Sequence, residues 1–172
     1  QGVPWNWQSF PEYLDALAAR RCDIDFATQV PHAPLRVFVM GRRGVDREPA
    51  TAADMAAMAS MVEEGLEAGA LGFTTSRSLF HRTPDGALTP TITAAEEELA
   101  AIARGMGRVN KGVIQLLDDF QDTTAQGATE FAMLRRLVEL SGRPLSFTLL
   151  DISLYPGRWE TLLREVERAN LE

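Results

Sequence analysis

Residues 51–76, TAADMAAMASMVEEGLEAGALGFTTS, contain one full unit of the architecture that the rest of the chain repeats. Thr51 stands where a helix N-cap belongs. Met55, Met58, Val62 and Leu66 then fall on one helical face, while Glu63, Glu64 and Glu67 turn toward solvent. Gly69 ends the helix, and Ala70 to Thr75 follows at once as a compact strand. A helix that delivers its chain directly into a strand is half of a crossover unit.

The same rhythm extends in both directions. Upstream, Ser9 with Glu12 forms a capping box, and Phe10, Tyr13, Leu14 and Leu17 share a helical face. Asp23 to Val30 reads as a short strand in which Ile24, Phe26 and Val30 alternate with polar neighbours. Leu35 to Met40 is apolar and β-prone, either a second short strand or the exit loop of the first. Downstream of Ser76 comes a long loop. Thr93 with Glu96 then gives a second capping box, opening a helix whose Leu99, Ile102, Ala103 and Met106 face a core. Gly112 to Leu117 reads as a strand, Ala128 to Ser141 as a helix, Pro144 to Leu150 as a strand, and Trp159 to Ala169 as a helix.

Strands separated by helices make an α/β protein with a parallel sheet and crossover helices. Pattern alone allows an open doubly wound sheet or about half of an eight-stranded barrel. Neither glycine loop that would favour the open sheet is present. Gly69-Ala70-Leu71-Gly72 precedes its strand, and Gly105-Met106-Gly107 closes a helix, so neither cradles a phosphate.

With 172 residues and 45% hydrophobic content, the chain can bury one sizeable core and not two. A net charge of −7 argues against nucleic acid, and the pairs Arg20-Arg21, Arg42-Arg43 and Arg135-Arg136 read as solvated helix surfaces. No apolar run approaches a membrane span. The partner expected is therefore a small molecule, with neither nucleic acid nor membrane, and the compartment cytoplasmic. A lone Cys22 excludes an internal disulfide and suits a reducing compartment. The chain opens on Gln1 and closes just after a helix, which reads as an excerpt of a longer protein.

Parallel α/β folds collect their reacting groups at the carboxyl ends of the strands. Those ends carry Pro31-His32, then Thr74-Thr75-Ser76-Arg77 with the loop bearing His81, then Asp118-Asp119-Phe120, and finally Asp151. His32 directly follows a strand and is the first candidate for lining a substrate pocket, against a role in anchoring the Pro31–Pro34 loop. Arg36 has the geometry to hold a carboxylate, although tying down a strand end is the favoured role. Thr75 and Ser76 offer hydroxyls to substrate. Asp118 and Asp119 are candidates for general base or metal ligand, against a solvated loop. His81 sits in the turn-forming run Arg82-Thr83-Pro84-Asp85-Gly86 and reads as an exposed loop histidine. Trp5 and Trp7 read as a staple of the chain entering its first helix, against a pocket wall. Two histidines and one cysteine cannot build a metal centre within this span.

Several stretches carry a family resemblance. They are Trp5-Asn6-Trp7 with Phe10-Pro11-Glu12-Tyr13-Leu14-Asp15-Ala16-Leu17, then Val30-Pro31-His32-Ala33-Pro34-Leu35-Arg36 and Val39-Met40-Gly41. Ala50-Thr51-Ala52 and Glu67 through Ser76 complete the set. Together they are similar to the N-acyl-D-amino-acid deacylase (D-aminoacylase) branch of the metal-dependent amidohydrolases, over residues 1 to about 110. Pro31 stands where that family usually has Gly.

The resemblance implies about half of a TIM-like (β/α)8 barrel, with residues 1–172 as a single partial domain. It further implies a parent enzyme that hydrolyses linear amides with a divalent metal, zinc, whose ligands lie mostly outside this span, and a span inactive by itself. The competing reading is a catalytically degenerate barrel that binds or scaffolds. The family's Thr-His-x-Arg aligns with Leu116-Leu117-Asp118-Asp119 and its Ser-His-x-Lys with Thr148-Leu149-Leu150-Asp151. Both ligand histidines are thus replaced, by Leu117 and Leu149, and the carboxylate-binding Lys falls on Asp151. This implies a rearranged site, with Asp118 or Asp119 standing in for an imidazole and Asp151 disfavouring a substrate carboxylate.

Overall fold

The structure, a computed structural model, describes residues 5–120 and 127–171. Helix α1 (Phe10–Ala18) is opened by the expected capping box: Ser9 Oγ accepts the Glu12 amide at 3.3 Å, and the Glu12 carboxylate accepts the Ser9 amide at 3.0 Å. Strand β1 (Val30–Pro31), helix α2 (His32–Met40) and the short helix α3 (Arg42–Val45) follow. Helix α4 (Ala52–Glu67), strand β2 (Gly72–Arg77), helix α5 (Glu96–Val109) and strand β3 (Val113–Asp118) form the centre. Helix α6 (Ala128–Ser141), strand β4 (Leu145–Phe147) and helix α7 (Arg158–Ala169) complete the chain order.

The sheet settles the topology. Its order is β1-β2-β3-β4, and every adjacent pair is parallel. A doubly wound sheet reverses its winding at a switch point, whereas here each strand is laid beside its predecessor in one direction. Crossovers of one hand then put α4, α5 and α6 on the same face, where α4 packs on α5, α5 on α6 and α6 on α7. Four parallel strands wound in this way are an arc of a (β/α)8 barrel.

The core lies between that helical layer and the sheet. Met58, Val62 and Leu66 of α4, Ile102 and Met106 of α5, and Leu134 and Leu137 of α6 close over Phe73, Ile114 and Leu116 of the strands. Each fully buried side chain of this kind contributes roughly 1.5–3 kcal/mol. Two glycines allow close approaches, Gly72 between β2 and β3 and Gly112 between the sheet and α4. A Cβ on Gly72 would lie 2.0 Å from the Val113 carbonyl oxygen, and one on Gly112, at φ +84°, would lie 2.6 Å from Leu66 Cδ2.

The structure corrects four local expectations. The strand expected over Asp23–Val30 shrinks to Val30–Pro31; Ile24 and Phe26 are exposed, and no neighbouring strand orders them. Leu35–Met40 is helical, not extended. Leu35, Arg36 and Met40 are buried and Phe38 is exposed, a helical period that overrides the β-prone Val37 and Val39, and Pro34 falls harmlessly in the first turn. The Thr93–Glu96 capping box does not form. Ala95 is the N-cap, Thr93 Oγ1 donates to the Arg47 carbonyl at 3.2 Å, and Glu96 accepts from Arg136 Nε at 2.5 Å, so tertiary partners have taken both side chains. The strand expected over Pro144–Leu150 is paired only from Leu145 to Phe147, at the outer edge of the sheet. Among the described residues, no helix is long and apolar enough to cross a membrane.

The Gly72 contact gives a direct test. Gly72→Ala forces β2 away from β3 and is expected to cost about 3 kcal/mol or more, whereas Gly86→Ala, at φ +85° but with open space around its Cβ, should cost only about 1–2 kcal/mol of backbone strain. Urea unfolding of the two variants side by side measures the difference.

Candidate functional site

Strand alternation sorts the strand-end residues into two faces. On β2, Phe73 and Thr75 are buried toward the helices, which turns Thr74 and Ser76 to the opposite side. On β3, Ile114, Leu116 and Asp118 are buried, which turns Gln115 and Leu117 the other way. Register pairs Thr74 with Gln115 and Ser76 with Leu117. The Thr148 amide donates to the Leu116 carbonyl at 3.2 Å and carries this wall past β4. With Pro31, His81, Thr89 and Thr91, these side chains line an open concavity of about 270 Å³ at the carboxyl ends of the strands.

His32 reaches the rim of that concavity but is itself only 1% exposed. Its Nε2 lies 2.8 Å from Glu98 Oε1 and its Nδ1 lies 2.8 Å from Thr75 Oγ1. Arg36, fully buried, donates from Nε to both Glu98 oxygens at 2.9 and 3.2 Å. Burial lowers the His32 pKa below the ordinary histidine value, against the opposing pull of Glu98. Burial alone would raise Glu98, but the hydrogen bonds and charges of His32 and Arg36 outweigh it and leave Glu98 below the usual carboxylate value. The consistent proton inventory is an ionised Glu98 balanced by Arg36, with a neutral His32 donating from Nε2 to Glu98 and accepting the Thr75 hydroxyl at Nδ1. Arg36 also donates from Nη1 to the Pro90 carbonyl at 3.0 Å and from Nη2 to the Glu48 carbonyl at 2.5 Å, so it ties helix and loop segments together in place of the strand end expected.

Asp118 and Asp119 lie behind the wall. Asp118 Oδ1 accepts the Phe120 amide at 2.7 Å, and its Oδ2 lies 3.4 Å from Arg77 Nε. Burial pushes the Asp118 carboxyl up to about 6, the Phe120 amide and Arg77 pull it down, and Glu130 and Asp119 add to the rise. Asp119 Oδ2 accepts the Leu79 amide at 2.8 Å and so pins the loop after β2. Asp151 is exposed beyond β4 and does not line the concavity. Trp7 packs against Tyr13 with ring centroids 5.1 Å apart, and Trp5, 89% exposed, stacks on Trp7.

Of the two positions at which the family pattern carries imidazoles, Leu117 faces the concavity, while Leu149 packs against the hydrophobic core. Thr148 occupies the wall in its place, because it follows the register of β4 one residue earlier. Among the described residues, no three His, Cys, Asp or Glu side chains gather into a set able to hold a metal ion. The donors that the concavity offers are hydroxyls, one amide, the imidazole of His81 and, at the rim, that of His32 with both nitrogens engaged, and this set does not fit a divalent cation. Thr74 stands in the strand-end cluster that the sequence marks, whereas Gln115 and Thr148 do not stand out in it, although period-two counting from Ser76 reaches them through the register. Glu98 does not stand out in the sequence because its role depends on distant segments meeting, whereas His81, expected as an exposed loop histidine, is exposed and turns back onto Ser76 five residues earlier.

The two buried acids behave oppositely. Glu98→Ala strands Arg36 and is expected to cost about 3–5 kcal/mol, with Glu98→Gln costing less. Asp118 has a folded pKa raised above its unfolded value of 3.8, so its ionisation costs stability progressively as pH rises from about 4 through about 6. Asp118→Asn is therefore expected to be more stable than wild type at pH 7, by up to about 3 kcal/mol, and to lose that gain below about pH 4. His32 has a lowered folded pKa, so the stability it confers is lost as pH falls below about 6.5, when the unfolded state takes up a proton. Denaturant unfolding of these variants from pH 4 to 8 separates the three effects.

No family model matches the chain. A D-aminoacylase from Alcaligenes xylosoxydans xylosoxydans is 31% identical over 104 residues, 60% of this chain and 19% of that protein. A D-aminoacylase point mutant solved in complex with CuCl2 matches 95% of this chain and 32% of its own, at 26% identity and a TM-score of 0.75. An N-acyl-D-glutamate deacylase from Bordetella bronchiseptica is similar over 94% of this chain and 31% of its own, at 25% identity and a TM-score of 0.68. It was solved with zinc and a phosphonate inhibitor that mimics the tetrahedral intermediate of its reaction. Both the sequence and the structural likeness fall on one set of proteins: the chain is a homologue of the D-aminoacylases, spanning about a third of the length of their solved structures.

Proposed function

We propose that the full-length protein is a metal-dependent hydrolase of linear amides of the N-acyl-D-amino-acid type, and that residues 1–172 form one arc of a single barrel domain. The observation that carries this reading is the coincidence of two features. The parallel, singly wound sheet matches D-aminoacylase over 95% of the chain, and its concavity opens at the carboxyl ends of the strands, where barrel enzymes perform chemistry. The hydroxyls of Thr74, Ser76 and Thr148 and the amide of Gln115 then serve as hydrogen-bonding groups for a small amide substrate. Leu117 supplies a dry contact between them.

His32, Glu98 and Arg36 act from behind the wall. By bonding Thr75 Oγ1, His32 fixes the strand on which Thr74 and Ser76 stand. A divalent metal, present as zinc or copper in the neighbours, would be held by residues outside this span, since the wall offers no ligand set. Asp118, turned toward the helices, contributes no ligand to the concavity in this reading.

The full-length protein is expected to release acetate from N-acetyl-D-amino acids, to lose that activity with a chelator and to regain it with zinc. A D- and L-enantiomer pair assayed before and after chelation checks the expectation. A folded, zinc-loaded protein that cleaves neither enantiomer would instead support the binding or scaffolding role.

A further inference from the structure

Ser76 Oγ and His81 Nδ1 lie 2.9 Å apart, and both line the concavity. Ser76 comes from the wall-facing side of β2, whereas His81 comes from the long loop after it, so the loop folds back over the strand end. Ser76 Oγ also accepts the Ser78 amide at 3.4 Å, which fixes the hydroxyl from the loop side. The loop is fastened at its far end as well, where Thr91 Oγ1 donates to the Ser76 carbonyl at 2.6 Å. Nε2 of His81 makes no hydrogen bond to the protein among the described residues, and the side chain is exposed.

The charges around this position are otherwise spoken for. Arg77 turns to the other face, toward Asp118 and the Ala94 carbonyl. Arg82 donates to Gly86 within its own turn, Arg47 to the Leu88 carbonyl, and Arg36 is buried on Glu98. His32, the other imidazole at the concavity, has both ring nitrogens engaged and is held neutral. His81 is thus the one imidazole lining the concavity, among the described residues, with a ring nitrogen left open to a ligand. Among the described residues, no carboxylate lines the concavity to compete for it.

We propose that His81, oriented by Ser76, is the specificity-determining residue for the free carboxylate of the substrate. The inference rests on the amide-hydrolase reading given above. With Nδ1 accepting the Ser76 hydroxyl, His81 presents Nε2–H to the carboxylate, a hydrogen bond from a held donor to a charged acceptor. His81 thereby replaces a cation that the strand-end position after β4 lacks, since that position carries the exposed Asp151 outside the wall. Selectivity for an acid over its ester then resides in a loop residue and not in the strand itself.

The test uses the full-length protein and two probes, an N-acetyl-D-amino acid with a neutral side chain and its methyl ester. Wild type is expected to favour the free acid. His81→Gln should lower kcat/KM for the acid by about 10- to 100-fold, mainly through KM, and leave the ester unchanged. His81→Lys should keep the preference, and Ser76→Ala should lose part of it. Melting temperatures of the variants confirm that the fold is intact. A wild type that favours the ester, an equal fall for both probes, or no change in His81→Gln would each overturn the proposal. If wild type cleaves neither probe, the hydrolase reading fails separately. Calorimetric binding of the acid and the ester to wild type and His81→Gln then decides, and equal affinities throughout would overturn the role of His81.

Discussion

The buried pairing of Arg36 with Glu98 is the constraint on which the carboxyl-end rim depends. A guanidinium and a carboxylate removed from water are tolerated only when their charges and hydrogen-bonding positions are nearly all used. Arg36 meets that condition by reaching Glu98 of α5, Gly44 of α3, Pro90 of the long loop and the Glu48 carbonyl before α4. One side chain therefore fastens four segments that are far apart in sequence. His32 extends the network from Glu98 to Thr75, and through Thr75 to the middle of β2. The strand that carries Thr74 and Ser76 is held from behind, so the wall has a defined shape before any ligand arrives.

This arrangement separates two populations of polar groups by the thickness of one sheet. Charged and ionisable groups, Glu98, Arg36, Asp118 and Arg77, sit on the helical side, where they pair with one another or with backbone amides. Hydroxyls, one amide and the His81 imidazole sit on the open side. The division explains why Asp118 is held up to about 6: it is buried next to hydrocarbon, not bathed at a site mouth. It also leaves the open side, among the described residues, without a carboxylate of its own.

Much of the helical frame was legible from apolar spacing. The helix expected over Ala128–Ser141 has those bounds, and Met58, Val62 and Leu66 are buried as the helical period demands. These faces are local: a residue three or four positions away is a neighbour whatever the rest of the chain does. Helix α2 was not legible, because Val37, Phe38 and Val39 carry strand propensity that burial of Leu35, Arg36 and Met40 overrides. The site was legible only in part. His32 and Arg36 stand out by position, but three elements separate them from their partner Glu98, and no sequence pattern marks the pairing.

The sequence by itself determined the alternation of helices and strands, the helix faces, and the likeness to the D-aminoacylases, all carried by short-range spacing and by contiguous motifs. Tertiary structure alone decided the order of the strands, since doubly wound and singly wound sheets use the same local units and differ only in which strand each one joins. It also decided which side of the sheet each strand-end residue faces. A strand shifted by one residue turns every side chain over, and the register that prevents this is fixed by long-range pairing, as between Ser76 and Leu117.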